Sequence, residues 1–194
     1  MYQFKSRVRF SEVDSHLNMT LPSIINYFQD CSTFHSDSIG QGIEVMMEQG
    51  YAWILSSWQI IINRYPRFGE EITISTWAHG WKAFFGYRNF KMEDAEGNIL
   101  AYSNTNWIYM NIKTGRPERI PKEVSDLYAC EPAIPMEEAS RKIAPVTEAL
   151  ALARFRCTNT TLIPTIMSTM SAMCQWLWNV CRMVLSSVSF GRIS

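Results

Sequence analysis

The last 46 residues of this 194-residue chain, Ala149 to Ser194, contain no Asp, Glu or Lys and only four Arg. All 18 acidic residues lie at or before Glu148. A globular surface needs charge of both signs, so this absence argues against an ordinary folded unit over that stretch. Other absences narrow the function. Net charge is zero and no dense Lys/Arg run exists, which excludes nucleic acid as an expected partner. The opening Met1-Tyr2-Gln3-Phe4-Lys5 has no apolar leader core. Polar residues interrupt even the Ile163–Val188 region, so no membrane span is expected and a cytoplasmic location is. The five cysteines show no paired metal spacing, and Cys174 and Cys181 are too far apart for CxxC, so free thiols are expected. Gly40-Gln41-Gly42 is too sparse for a phosphate loop and follows no strand. No metal and no cofactor are expected.

What is present, up to Pro121, is well patterned. Gln3–Phe10 alternates and predicts a first strand. Thr20 can cap a helix with Pro22 in its first turn, where a missing N–H costs nothing. Ile24, Ile25, Phe28, Cys31 and His35 then recur at helical spacing until Gly40 and Gly42 stop them. A shorter helix is expected from Ile43 to Gln49. After Gly50 the period becomes that of strands: Tyr51–Arg64, Glu71–Ala78 broken by Gly80, Phe85–Glu93, and Ile99–Ile112. The order is one strand, one long helix, then four antiparallel strands. Such a sheet should curl around the helix, with a second domain or a dimer partner covering what remains. The expected fold is therefore α+β, of the hotdog kind, followed by an irregular or helical tail.

Two segments carry a family resemblance. Arg7-Val8-Arg9-Phe10-Ser11-Glu12-Val13-Asp14, followed by Tyr27-Phe28-Gln29-Asp30, resembles the opening of hotdog thioesterases. Trp107-Ile108-Tyr109-Met110-Asn111-Ile112-Lys113-Thr114-Gly115-Arg116-Pro117-Glu118-Arg119-Ile120-Pro121 is more specific and resembles the end of the first domain of acyl-ACP thioesterases, bacterial members included. The resemblance covers about residues 4–145. It implies a first hotdog domain over 1–145 that shapes an acyl pocket, with acyl carrier protein or acyl-CoA carrying the substrate. It also implies a second domain with a catalytic motif similar to D-T-N-H-H-V-N-N-x-x-Y-V, which this sequence does not display.

That motif reappears if the tail is read one register off. Each shifted codon takes the last base of one residue's codon and the first two of the next. Leu162-Ile163 can give Asp, Ile163-Pro164 Thr, Pro164-Thr165 Asn, and Thr165-Ile166 and Ile166-Met167 His. Met167-Ser168 can give Val, and the next two steps Asn. Further on, Ala172-Met173 can give Tyr, and Met173-Cys174 is forced to Val. The expectation is a shifted frame beginning between about Pro145 and Cys157, with residues 146–194 the remnant of a second hotdog domain. The other reading is a real amphipathic helix over Ile163–Leu185.

Candidate site residues follow. Asp14, His16 and Asn18 lie in the loop before the long helix. The resemblance aligns Asp14 with the aspartate that is catalytic in single-domain hotdog thioesterases, although that pattern wants Gly-His where this chain has Leu17-Asn18. Asp14 and Thr20 can equally satisfy backbone donors at the helix start. Met19, Phe28, Trp53, Ser56 and Trp58 are candidates for acyl contact, set against ordinary core packing. His35 on the apolar stripe and Cys31 in the helix read as core residues, and His79 as a turn residue. The main expectation is hydrolysis of acyl-ACP to free fatty acid, with little activity in the frame as it stands. A single-hotdog acyl-CoA thioesterase using Asp14 and a non-catalytic acyl-binding module stay open. A lone hotdog domain should dimerise or aggregate through its uncovered surface.

Overall fold

The computed structural model describes residues 1–137. The tail, with the shifted-frame expectation and the end of the 1–145 domain, lies outside them. In chain order the elements are β1 (Tyr2–Arg7), a 3-10 turn (Phe10–Glu12), α1 (Leu21–Ser38), α2 (Ile43–Glu48), β2 (Tyr51–Ile62), β3 (Glu71–Lys82), β4 (Phe85–Glu93), β5 (Ile99–Asn111), β6 (Arg116–Pro117) and α3 (Lys122–Leu127). The main strands form one antiparallel sheet in the order β1-β3-β4-β5-β2, and β6 pairs with β5. Among the described residues no helix is long and apolar enough to cross a membrane.

Helix α1 starts as its sequence dictates. Thr20 accepts the Ser23 N–H at 3.3 Å, and Pro22 occupies the first turn. Its stripe of Ile24, Ile25, Phe28, Cys31 and His35 is buried against the inner face of the sheet. There it meets Ile72 and Ile74 of β3, Phe90 and Met92 of β4, and Ala101 and Trp107 of β5.

Two expectations need correction. The first strand ends at Arg7, because Phe10–Glu12 turns tightly and the Glu12 side chain accepts the Arg9 N–H at 2.8 Å. Phe10 is consequently turned out, 75% exposed. Nor does Gly80 break β3. The strand runs on to Lys82 through a register shift between Ala78 and Gly80, so His79 is the extra residue of a bulge rather than part of a turn. Its ring nitrogen Nε2 is hydrogen-bonded to Asn104 Oδ1 at 2.9 Å.

A second shift, between Leu55 and Ser57, makes exposed Ser56 the extra residue of β2. Each bulge resets the two-residue alternation. Ala78 and Trp81 therefore both face inward, as do Leu55 and Trp58.

The specific Trp107–Pro121 segment closes as a hairpin. Asn111 Oδ1 accepts the Lys113 and Thr114 N–H groups, and Gly115 supplies the φ of +64° that the turn requires. Glu118 then accepts from Tyr51 Oη and Asn111 Nδ2. Beyond α3 the chain crosses the outer face of the sheet as a strap. The Glu131 N–H donates to Ala78 O, Trp77 Nε1 to Pro132 O, the Ile134 N–H to Asn89 Oδ1, and Gln59 Nε2 to Glu137 O.

Candidate active site

Among the described residues an apolar cleft lies between the helices and the sheet. Its cavity volume is about 110 Å³, and its mouth opens to solvent. The floor is inner-face sheet: Trp53 of β2, Ala78 and Trp81 of β3, Gly86 and Arg88 of β4, and Trp107 of β5. The walls are the C-terminal half of α1 (Ser32, Thr33, Ser36), Gln41 and α2 (Ile43, Met46, Met47), with Tyr128 closing one side. Gly86 makes room for two indoles: a Cβ there would stand 2.7 Å from Trp81 and 3.3 Å from Trp53.

A buried polar group lies beside this cleft. Arg88 Nη1 is 3.0 Å from His35 Nδ1 and 3.2 Å from Thr76 Oγ1, and the guanidinium lies 5.4 Å above the Tyr128 ring centre. Burial, then the Arg88 charge, hold the His35 pKa down to about 4. His35 is thus neutral at pH 7 and accepts the arginine proton. An unfolded histidine titrates near 6.5, so between those values the unfolded chain takes a proton that the folded chain refuses. This contribution to stability is complete above about pH 6.5 and is lost as pH falls toward 4. Denaturant unfolding at pH 7 and pH 4.5 should therefore show a smaller acid loss in His35→Gln than in wild type, by about 1–2 kcal/mol. Equal losses would contradict it.

The sequence candidates divide. Asp14, His16 and Asn18 are not in the cleft wall. They stand before the N-terminus of α1, and Thr20 to Ser32 is 12 residues of helix, about 18 Å at the usual rise. Asp14 Oδ1 accepts the N–H groups of His16 (2.8 Å) and Asn18 (3.1 Å), a self-closed loop. Leu17 sits within it at φ +61°, the left-handed region where the related pattern has glycine. His16 is exposed. Of the acyl-contact candidates, Trp53 lines the cleft. Met19 and Phe28 are fully packed in the core, Phe28 stacked on Phe90 (5.2 Å) and Trp58 (6.1 Å), and Ser56 faces solvent.

Cys31 is buried, its thiol pushed up to about 12 mainly by burial, and it donates to Ile74 O, so it is no nucleophile. Sequence reasoning did not single out Trp81, Arg88 and Tyr128 as a group. The available signal was the charge of Arg88 on the apolar side of Phe85–Glu93, where an inward partner had to be found.

A curled antiparallel sheet around one long helix, with an apolar cleft between helix end and sheet, defines a hotdog domain. A family model, the acyl-ACP thioesterase N-terminal domain, matches residues 1–128, and the chain belongs to that family. A palmitoyl-acyl carrier protein thioesterase of Cuphea hookeriana is 25% identical over 156 residues, covering 74% of this chain and 37% of that protein. An oleoyl-acyl carrier protein thioesterase of Arabidopsis thaliana is 26% identical over 134 residues, 66% of this chain and 37% of that one. The chain thus spans little more than a third of these relatives. Among solved structures, an acyl-ACP thioesterase from Bacteroides thetaiotaomicron matches with a TM-score of 0.73 at 23% identity, over 89% of this chain and 72% of that one. The 12:0-ACP thioesterase from Umbellularia californica matches with a TM-score of 0.62 at 20% identity, over 74% and 60%. At those identities the structures support the hotdog fold.

Proposed function

We propose that this domain is the acyl-holding half of a thioesterase that hydrolyses acyl-ACP to free fatty acid. The observation that carries this reading is the cleft itself. Indoles, methionines and two alanines line an apolar slot of the kind that ligand sites use, and a methylene chain gains about 0.8 kcal/mol per CH₂ buried there. Among the described residues the cleft offers no free aliphatic hydroxyl as a nucleophile: Ser32 and Thr33 donate to Gln29 O, and Ser36 is bonded to the Tyr128 hydroxyl. The reading assigns the catalytic groups to a second domain, the one the shifted frame of residues 146–194 would encode. There a carboxylate or histidine would activate water, and backbone N–H groups at a helix start would hold the oxyanion.

The test compares two proteins on dodecanoyl-ACP: the 194-residue chain, and the product of the gene with one base restored after the Pro145 codon. Free dodecanoate should appear at least 100-fold faster with the restored protein. If neither releases acid, the proposal fails. If the 194-residue chain is fully active and Asp14→Asn abolishes that activity, the single-domain reading replaces it.

A further inference from the structure

Arg88 is the part of the cleft that an acyl tail does not explain. It is 7% exposed, on the inner face of β4, and it lines the cleft. Its contacts are the neutral His35 imidazole, the Thr76 hydroxyl and the Tyr128 ring. Among the described residues no carboxylate forms an ion pair with it. A guanidinium stays protonated in proteins, so this is a buried charge without a counter-charge. Such a charge is costly, and a methylene chain laid beside it does nothing to offset the cost. Two more polar atoms of cleft-lining residues are buried without a partner among the described residues: Trp53 Nε1, a donor, and Gln41 Oε1, an acceptor.

The missing component is an anion with an apolar tail. We infer that the cleft binds a free long-chain carboxylate head-inward, its oxygens on the Arg88 guanidinium and its tail along Trp53, Trp81 and Met46. The guanidinium fork matches a carboxylate, and exclusion of water strengthens the pair. An alcohol of the same length could accept from Trp53 Nε1 as the acid does and could also donate to Gln41 Oε1, which an ionised carboxylate cannot, but it would leave the charge unmatched. A preference for the acid therefore has to come from Arg88, since the other two atoms serve the alcohol at least as well. This inference rests on the proposed function only in taking the same cleft to accept an acyl tail. It adds that the acid such a reaction releases is itself a ligand of the domain, competing with incoming thioester.

The test is calorimetric titration of the 194-residue chain at pH 8 with dodecanoate, dodecanol and methyl dodecanoate, each below its aggregation concentration. Dodecanoate should bind at least tenfold more tightly than the other two. In Arg88→Met the acid should fall to parity with the alcohol, whose own affinity should stay within about twofold. Equal binding of acid and alcohol by the wild type overturns the inference and leaves the acyl cleft standing. So does an acid preference that survives in Arg88→Met. If Arg88→Met does not fold, the wild-type ratio alone decides between the two. Failure of all three ligands to bind removes both the inference and the acyl cleft.

Discussion

Phe28→Ala should lower the unfolding free energy of this domain by about 4 kcal/mol and its Tm by about 15 °C. The ring is fully buried in a three-ring cluster with Phe90 and Trp58, each ring in contact with the other two. Around it, Ile24, Ile74 and Met92 come from three different elements. Helix and strands cannot move together to refill the space, because the helix is capped at Thr20 and the strands are tied in register. The transfer term and the cavity term therefore both apply. Phe28→Leu, which refills most of the volume, should cost less than half as much. A loss for Phe28→Ala below about 1.5 kcal/mol in denaturant unfolding would show that the aromatic stack is not the centre of the core.

Gly86→Val should abolish ligand binding in the cleft while leaving the domain folded. The Cβ alone would come within 2.7 Å of Trp81 and 3.3 Å of Trp53, and valine adds two methyl groups beyond it. Both indoles belong to a packed aromatic group with Tyr109 and Tyr128, so neither swings away freely. The expected cost is about 1–3 kcal/mol of stability from overpacking. Affinity for a dodecyl ligand should drop more than tenfold by calorimetry. The extended backbone at Gly86 suits valine, so the effect separates space in the cleft from strand formation. Wild-type affinity in a folded Gly86→Val protein would mean that acyl chains bind elsewhere.

Much of this fold was legible in the sequence because it follows from period and punctuation. The α1 stripe and the Thr20 cap are local features that tertiary structure did not override. The two strand errors have different causes: a 3-10 turn ends the first strand inside an alternating run, and a bulge shifts the third. A bulge changes the phase of alternation without changing composition, so His79-Gly80 read as a break where the chain only shifts register. The same signal, read properly, was present in Trp53-x-Leu55-x-x-Trp58, where the inward residues slip by one. The cleft was less legible, since its residues come from α1, α2, four strands and Tyr128, and no linear motif joins them. Trp53 could be picked as an amphipathic strand residue. Arg88 could not be placed without knowing that β4 turns it toward His35. Asp14 was picked from resemblance, and the structure finds its carboxylate oxygen accepting from its own loop.

The strap has a mechanical side. Between the Ile134 N–H, held by Asn89 of β4, and the Glu137 carbonyl, held by Gln59 of β2, four residues span two strand spacings. Four residues reach about 13 Å when fully extended and two spacings take up about 10 Å of that, so the strap crosses with only a few ångströms to spare. The strap lies on the convex side, where any tighter curl lengthens the path it must cover. It therefore works as a stop against over-curling. An empty apolar slot gains by collapsing on itself, and a sheet free to close would narrow it. A short cord tied across the back by hydrogen bonds to β4 and β2 resists a smaller radius, and so favours an open slot before anything enters it.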